Sequence, residues 1–353
     1  MEIESVGAAY IRPGQVLTDR SALSVASRWT QAVSEADGVC VIHLSPGADP
    51  CEVARELREQ GHRASPNHVF LGQPLFFGGP ASRPFPVPPV SHKPGRSRSG
   101  VVVGLLDTGV AEHPWWSGGD WYDRIAPEDA DAAEGAQAGH GTFIAGLLAR
   151  RAPGAALRVH RVLDGDGVGD EATVVRALHR LREHPPHVLN LSFGGHTFDD
   201  RPPPLLSDAI AELAGPPVDT PTGRAAGTVT VACAGNTASD RPFWPAALPS
   251  VVGVGAVDAS GERRAPYSGH GDWVDACAPG DWLTSSFLDG SVHGGDFAGY
   301  AAWSGTSFAT ALVAGAVADA ARTEPAREVV RRMLDGHGAR QIRDLGVLVP
   351  ASL

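Results

Sequence analysis

Val101-Val-Val-Gly-Leu-Leu-Asp107-Thr-Gly109 is an apolar, largely β-branched run that ends in a carboxylate and a glycine. A strand with no polar alternation is buried on both faces, as in a parallel sheet covered by helices on either side. Moving outward, residues 188–191, 228–232 and 251–257 repeat this pattern, and 142–151, 171–183, 204–213 and 306–322 have helical spacing between or after them. The alternation predicts an α/β domain over residues 101–353, doubly wound on a mainly parallel sheet. No internal repeat is visible.

Upstream, residues 77–100 (FGGPASRPFPVPPVSHKPGRSRSG) carry prolines, glycines, serines and arginines with no apolar period, the composition of a linker or exposed loop. Before it, residues 9–16, 38–44 and 68–72 read as strands and 22–36 and 49–61 as helices, so residues 1–76 are expected to form a small α+β, ferredoxin-like module in the order β-α-β-α-β.

Composition narrows the function. The 353 residues carry 29 Lys and Arg against 40 Asp and Glu, a net charge of −11, which lacks the basic footprint of a nucleic-acid binder. Hydrophobic residues at 42% supply a large core and charged residues at 20% are too few for disorder. Cysteines 40, 51, 233 and 277 have no Cys-x-x-Cys spacing and read as small buried hydrophobes. The N-terminus has no basic segment followed by an apolar run, and no stretch approaches a membrane span, so the expectation is a cytoplasmic protein with no membrane or nucleic-acid partner.

In a doubly wound sheet, catalytic groups sit beyond the carboxyl ends of the strands, which places Asp107 at that edge. Asp-Thr-Gly also occurs in aspartic proteases, but those need two such carboxylates sharing a proton, and the chain has one. Gly139-His140-Gly141-Thr142 opens an apolar helix, where a histidine between glycines faces the cleft uncrowded, either as a general base or as a turn residue. Ser304-Gly-Thr-Ser307-Phe-Ala-Thr310 opens another helix, and Ser307 is there either an early-turn residue or a nucleophile at the positive end of the helix dipole.

Taken together, the order Asp, His, Ser with the blocks LLDTGV, GHGTFIAG and SGTSFATALVAG resembles the subtilisin-like serine proteases, the subtilase family. RVLDGDGVG, VLNLSFGG, VACAGN, FWPAALPSVVGVGAVD and YSGHGDWVDACAPG match in the same order, so the resemblance covers residue 101 to about 353. It implies a serine endopeptidase acting through an acyl-enzyme, with Ser307 as nucleophile, His140 as base, Asp107 holding the imidazole and Asn236 as side-chain oxyanion donor. It further implies an extended peptide or protein substrate lying between Ser192-Phe193-Gly194-Gly195 and Gly167-Val168-Gly169, whose glycines admit an added strand. No cofactor is needed for such chemistry, and structural calcium is left open. The alternative is a catalytically silent subtilase fold that binds peptides.

Several positions depart from the family pattern. Phe143 and Ala311-Leu312 replace common histidine and Pro-His positions, Phe308 replaces an oxidisable methionine, and Ala136-Gln137-Ala138 stand where an acidic residue often precedes the histidine block. Asp164 to Glu171 is not an EF-hand, because Val168 and Val175 occupy two ligand positions, so it is expected to form an acidic rim on the cleft. The N-terminal module resembles a subtilase propeptide in outline, the alternative being a permanently attached docking domain that recruits substrate and is never cut. It is expected to pack on the catalytic domain and send the tail after residue 76 into the cleft, with Arg83, Arg96 and Arg98 on the acidic rim as candidate cleavage positions.

Overall fold

The structure, a computed structural model, describes residues 2–72, 83–91, 99–215, 218–220, 223–225, 227–335 and 338–350. The N-terminal module comprises β1 (Glu4–Val6), β2 (Ala9–Thr18), a short α1 (Leu23–Ala26), β3 (Thr30–Ala36), β4 (Val39–Leu44), α2 (Pro50–Glu59) and β5 (Ala64–Leu71). Its antiparallel strands lie in the order β3-β4-β2-β5, the ferredoxin-like arrangement, with β1 paired on β2. The helix expected over 22–36 is wrong beyond its first turn, because residues 30–36 form β3. The reason is the Asp37-Gly38 turn, where both residues have positive φ (49° and 78°), the geometry that folds two strands back as a tight hairpin. Asp49 caps α2 by accepting from the amides of Cys51 and Glu52, and Pro50 begins the helix where a missing N–H costs nothing.

A short β6 (Phe85–Pro86) follows, then the large domain: β7 (Val102–Asp107), α3 (His140–Arg151), β8 (Ala156–Arg161), β9 (Val168–Asp170), α4 (Glu171–Leu181), β10 (Val188–Leu191), α5 (Pro204–Leu213), β11 (Val218–Thr220), β12 (Gly223–Ala225), β13 (Val229–Cys233), β14 (Val251–Val257), β15 (Ala276–Pro279), β16 (Leu283–Val292), β17 (Gly295–Trp303), α6 (Thr306–Ala320), α7 (Ala326–Leu334), β18 (Gln341–Ile342) and β19 (Gly346–Leu348). An eight-stranded sheet runs β18-β19-β15-β14-β13-β10-β7-β8 and is parallel except at its β18 edge.

Each central strand buries alternate side chains against opposite layers. Val103, Leu105, Val188, Val231 and Val254 pack with α3 and α6, while Leu106, Leu189, Leu191 and Ala232 pack with α4 and α5. The register sets Leu106 beside Leu191 and Leu191 beside Ala232, so Asp107, Ser192 and Cys233 leave the sheet at one level.

The two units share a sheet. β9 of the large domain pairs antiparallel with β5, extending the module's sheet by a strand. One face of that sheet carries α2, whose Val53 and Leu57 pack with Val16 and Ile42, and the other presents Leu17, Val39, Val41 and Phe70 to the layer containing α4 and α5. Part of the expected linker is pinned as well, since β6 pairs with β17 and Trp115 Nε1 donates to the Val90 carbonyl. Arg83 stacks over the Phe85 ring; Arg96 and Arg98 lie outside the described residues.

Candidate active site

Asp107 ends β7 and is fully buried. Its Oδ1 accepts from its neighbour's amide, Thr108 N, at 2.8 Å and from His140 Nδ1 at 2.7 Å. His140 opens α3 behind Gly139, whose left-handed φ of 85° and close contact with the Phe287 ring leave no room for a side chain. Gly141 is constrained in the same way, since a Cβ there would drive into the Gly109 carbonyl next to Asp107. The glycines around the histidine therefore bring two chain segments into contact.

The expectation of an uncrowded, exposed His140 is not met. The ring is fully buried, edge-on to Trp303 and beside Phe308, each centroid 5.6 Å away. The module closes the remaining side, for a Cβ built on Gly72 would sit 3.7 Å from His140 Cε1. Among the described residues His140 Nε2 has no hydrogen-bond partner.

Ser307 lies in the first turn of α6, also fully buried. Its hydroxyl faces two carbonyls, Ser192 O at 3.0 Å and Gly72 O at 3.3 Å. Ser192 in turn donates from Oγ to the Ser307 carbonyl at 2.9 Å and accepts from Asn190 Nδ2. Asn236, just beyond β13, accepts through Oδ1 from the Thr306 amide at 2.9 Å and the Thr306 hydroxyl at 3.0 Å. These bonds fix its amide plane and direct the NH₂ away from Thr306.

Both glycine-rich edges named from the sequence are occupied by a strand of the same chain. Val69, Phe70 and Leu71 pair with Asp170, Gly169 and Val168, and the Gly72 amide donates to Gly167 O at 2.9 Å. On the other side Leu71 and Gly194 exchange amide-to-carbonyl bonds of 2.8 and 3.1 Å. Phe193 packs beside Phe70, and Gly195 pairs with Trp244 while allowing Val69 and Phe70 to approach closely. The described segment in the cleft is the end of β5 itself, residues 69–72, which runs directly onto β9; the part of the expected tail over residues 77–82 lies outside the described residues.

Of the expected acidic rim, Asp170 and Glu171 are buried in structural contacts, while Asp164 and Asp166 stay exposed. Asp170 caps α4 through the Thr173 amide and pairs with the buried Arg12 at 3.1 Å. Glu171 is fully buried, accepting from His68 Nδ1 and Ser65 Oγ of the module, both at 2.8 Å. Asp164 closes its own turn by accepting from the Asp166 and Val168 amides, and Asp166 accepts from Ala136 N. Among the described residues no cluster of three or more His, Cys, Asp or Glu could hold a metal ion.

Sequence reading missed Asp131. This buried carboxylate accepts from the Thr108 hydroxyl (2.9 Å), the Gly139 amide (3.2 Å), and the Thr142 amide (3.1 Å) and hydroxyl (2.5 Å). It supplies an acceptor at the start of α3, where Gly139 has no side chain to cap with, and links the strand end carrying Asp107 to the helix carrying His140. Burial raises its pKa to about 6 despite the four donors, which act in the opposite direction. Lying nine residues before His140, it has no local sequence signal.

With this geometry in view, residues 98–342 match the subtilase family. The chain belongs to the subtilase family. Its sequence is 33% identical to Subtilisin BL of Lederbergia lenta over 241 residues, 65% of this chain and 79% of that protein. Subtilisin E of Bacillus subtilis (strain 168) is 30% identical over 244 residues, 65% of this chain and 58% of that protein. Two solved structures share the fold. A cold-adapted subtilisin-like serine proteinase aligns at TM-score 0.56 and 24% identity, covering 78% of this chain and 97% of that one. Fervidolysin from Fervidobacterium pennivorans aligns at TM-score 0.67 and 19% identity, covering 99% of this chain, the N-terminal module included, and 61% of its own. This subtilase is a serine endopeptidase, a hydrolase whose substrate is a peptide or protein and whose chemistry needs no cofactor. No helix among its described residues is long and apolar enough to cross a membrane.

Proposed function

We propose that the subtilase cleaves extended polypeptides with Ser307 as nucleophile, His140 as general base and Asp107 as the group that holds the imidazole with its proton on Nδ1. The observation that carries this is the 2.7 Å Asp107–His140 bond set in the same buried edge as Ser307, with imidazole and hydroxyl flanking one strand backbone at Gly72. For reaction, the Ser307 hydroxyl must turn from the Ser192 carbonyl to His140 Nε2, which then accepts its proton as Oγ attacks the substrate carbonyl. The Asn236 NH₂ and the Ser307 amide would receive the oxyanion, and Asp107 would stabilise the imidazolium. His140 then returns the proton to the leaving amine, and water hydrolyses the acyl-enzyme.

The module serves as a tethered inhibitor in this reading. Residues 69–72 hold the place of a substrate strand, and β6 on β17 keeps the chain attached beyond it. A cytoplasmic role in maturing a peptide precursor or partner protein is part of the same proposal; the four free, buried cysteines are compatible with a reducing compartment.

Ser307→Ala is the test, with hydrolysis of a proteome-derived peptide library as the readout. Loss of cleavage in a folded variant is expected. Undiminished cleavage would refute the assignment, and a wild type that binds peptides without cutting them would favour the silent-fold alternative.

A further inference from the structure

The strand held in the cleft identifies the side chains that a bound polypeptide would meet. Successive residues point to opposite faces, so Phe70 and Gly72 share one face and Val69 and Leu71 the other. On the first face, Phe70 is fully buried beside Phe193. The position of Gly72 is different. A Cβ there would lie 3.3 Å from Leu163 Cδ1 and 3.7 Å from His140 Cε1, and both of those side chains are buried. A methyl needs Leu163 to yield slightly, and anything larger meets both.

On the second face, Val69 and Leu71 line a cavity of about 370 Å³ bounded by Gly194, Gly195, Gly235 and Asn236. Gly194–Gly195 and Gly235–Asn236 form two bare backbone walls, the construction of a slot for a side chain next to the oxyanion donor. The ring of Phe243 fills the gap between the walls. A Cβ on Gly194 would be 2.5 Å from its Cε1, and one on Gly235 would be 2.9 Å from its Cε2. The ring is held by edge contact with His196 at 5.4 Å and by the pairing of the next residue, Trp244, with Gly195. With the ring between them, the slot is shallower than its two walls alone would make it.

We propose that Leu163 and Phe243 set the cleavage specificity: the site takes a polypeptide with glycine where Gly72 sits and a small residue, Gly, Ala or Ser, directly after it, and cuts after that small residue. This rests on the proteolytic reading above and adds the substrate class. In the chain itself the residues after Gly72 are Gln73 and Pro74, which depart from the pattern, so the tethered strand is expected to be a poor substrate of its own site.

Two readouts test it. In the first, purified full-length protein is given a peptide series with Gly-Ala, Leu-Ala or Gly-Phe at the two positions. Wild type is expected to favour Gly-Ala by roughly 10- to 200-fold in kcat/KM, the range over which pocket shape discriminates apolar groups. Leu163→Ala should raise Leu-Ala relative to Gly-Ala, and Phe243→Gly should raise Gly-Phe relative to Gly-Ala. Equal cutting of the three peptides by wild type, or rankings unmoved by both substitutions, would overturn the proposal.

The second readout needs no turnover. Gly72→Leu should expel the strand and speed fluorophosphonate labelling of Ser307 by about tenfold or more, the same range of pocket discrimination, and adding Leu163→Ala should restore slow labelling. A Gly72→Leu protein that labels at the wild-type rate would overturn the role of Leu163. Failure of every variant to label at Ser307 would overturn the proteolytic reading instead, which keeps the two failures distinct.

Discussion

Replacing Asp131 by alanine should weaken the fold more in mild acid than in mild alkali. Its carboxyl titrates near 6 in the folded chain against 3.8 for an ordinary aspartate, because burial penalises the charge. With the folded-state pKa above the unfolded one, the group's proton-linked contribution is complete below 3.8 and is lost as pH rises through 6. A rise of this size corresponds to about 3 kcal/mol, of which about 2 kcal/mol is expressed at pH 4.5 and essentially none at pH 8. The hydrogen bonds are a separate contribution. At pH 8 the substitution strands the Gly139 and Thr142 amides at the start of α3, each a buried donor worth ~1–3 kcal/mol when left unmet. The expected destabilisation is therefore about 2–6 kcal/mol at pH 8 and about 2 kcal/mol more at pH 4.5. Urea denaturation of the Asp131→Ala protein in a Ser307→Ala background, which prevents self-digestion, measures both. A difference that is equal at the two pH values, or smaller in acid, would refute the reasoning.

Other substitutions probe neighbouring contacts. Glu171→Ala leaves His68 and Ser65 without their shared acceptor in a fully buried interface, so about 3–5 kcal/mol of docking energy should be lost and limited proteolysis should release the module; an undigested module would contradict this. Gly141→Ala forces the Gly109 segment away from α3 and separates Asp107 from His140, so labelling of Ser307 should fall at least ~100-fold, and wild-type labelling would show that the close approach is dispensable. Intact-mass analysis of wild type and Ser307→Ala should find the bond from Gln73 to Pro74 uncut in both, and a wild-type cut there would argue against the specificity inferred from Leu163 and Phe243.

Much of the large domain was legible because its determinants are local. Unbroken apolar runs give buried parallel strands, and Asp107 ahead of Gly109, His140 between Gly139 and Gly141, and Ser307 behind Gly305 mark strand ends and helix starts that the sheet must bring to one edge. The determinants of the rest are distant in sequence. Asp131 reaches α3 from an irregular loop, Leu163 meets Gly72 and Phe243 meets Gly194 and Gly235 only when distant segments converge, and Arg12 and His68 find Asp170 and Glu171 across more than a hundred residues. The error over residues 30–36 has a local cause: Asp37-Gly38 is a hairpin signal that the helical spacing of the preceding residues obscured. The expectation of an exposed His140 failed because a glycine-flanked position says nothing of the aromatic rings that Trp303 and Phe308 bring from elsewhere.

The central claim, that Ser307 is activated through His140, is tested most directly by mapping the covalent adduct of a fluorophosphonate probe by mass spectrometry in wild type, His140→Ala and Ser307→Ala. The adduct is expected on Ser307 in wild type, reduced at least ~1000-fold in rate in His140→Ala, and absent from Ser307→Ala. An adduct on another residue, or labelling of Ser307 that does not depend on His140, would contradict it.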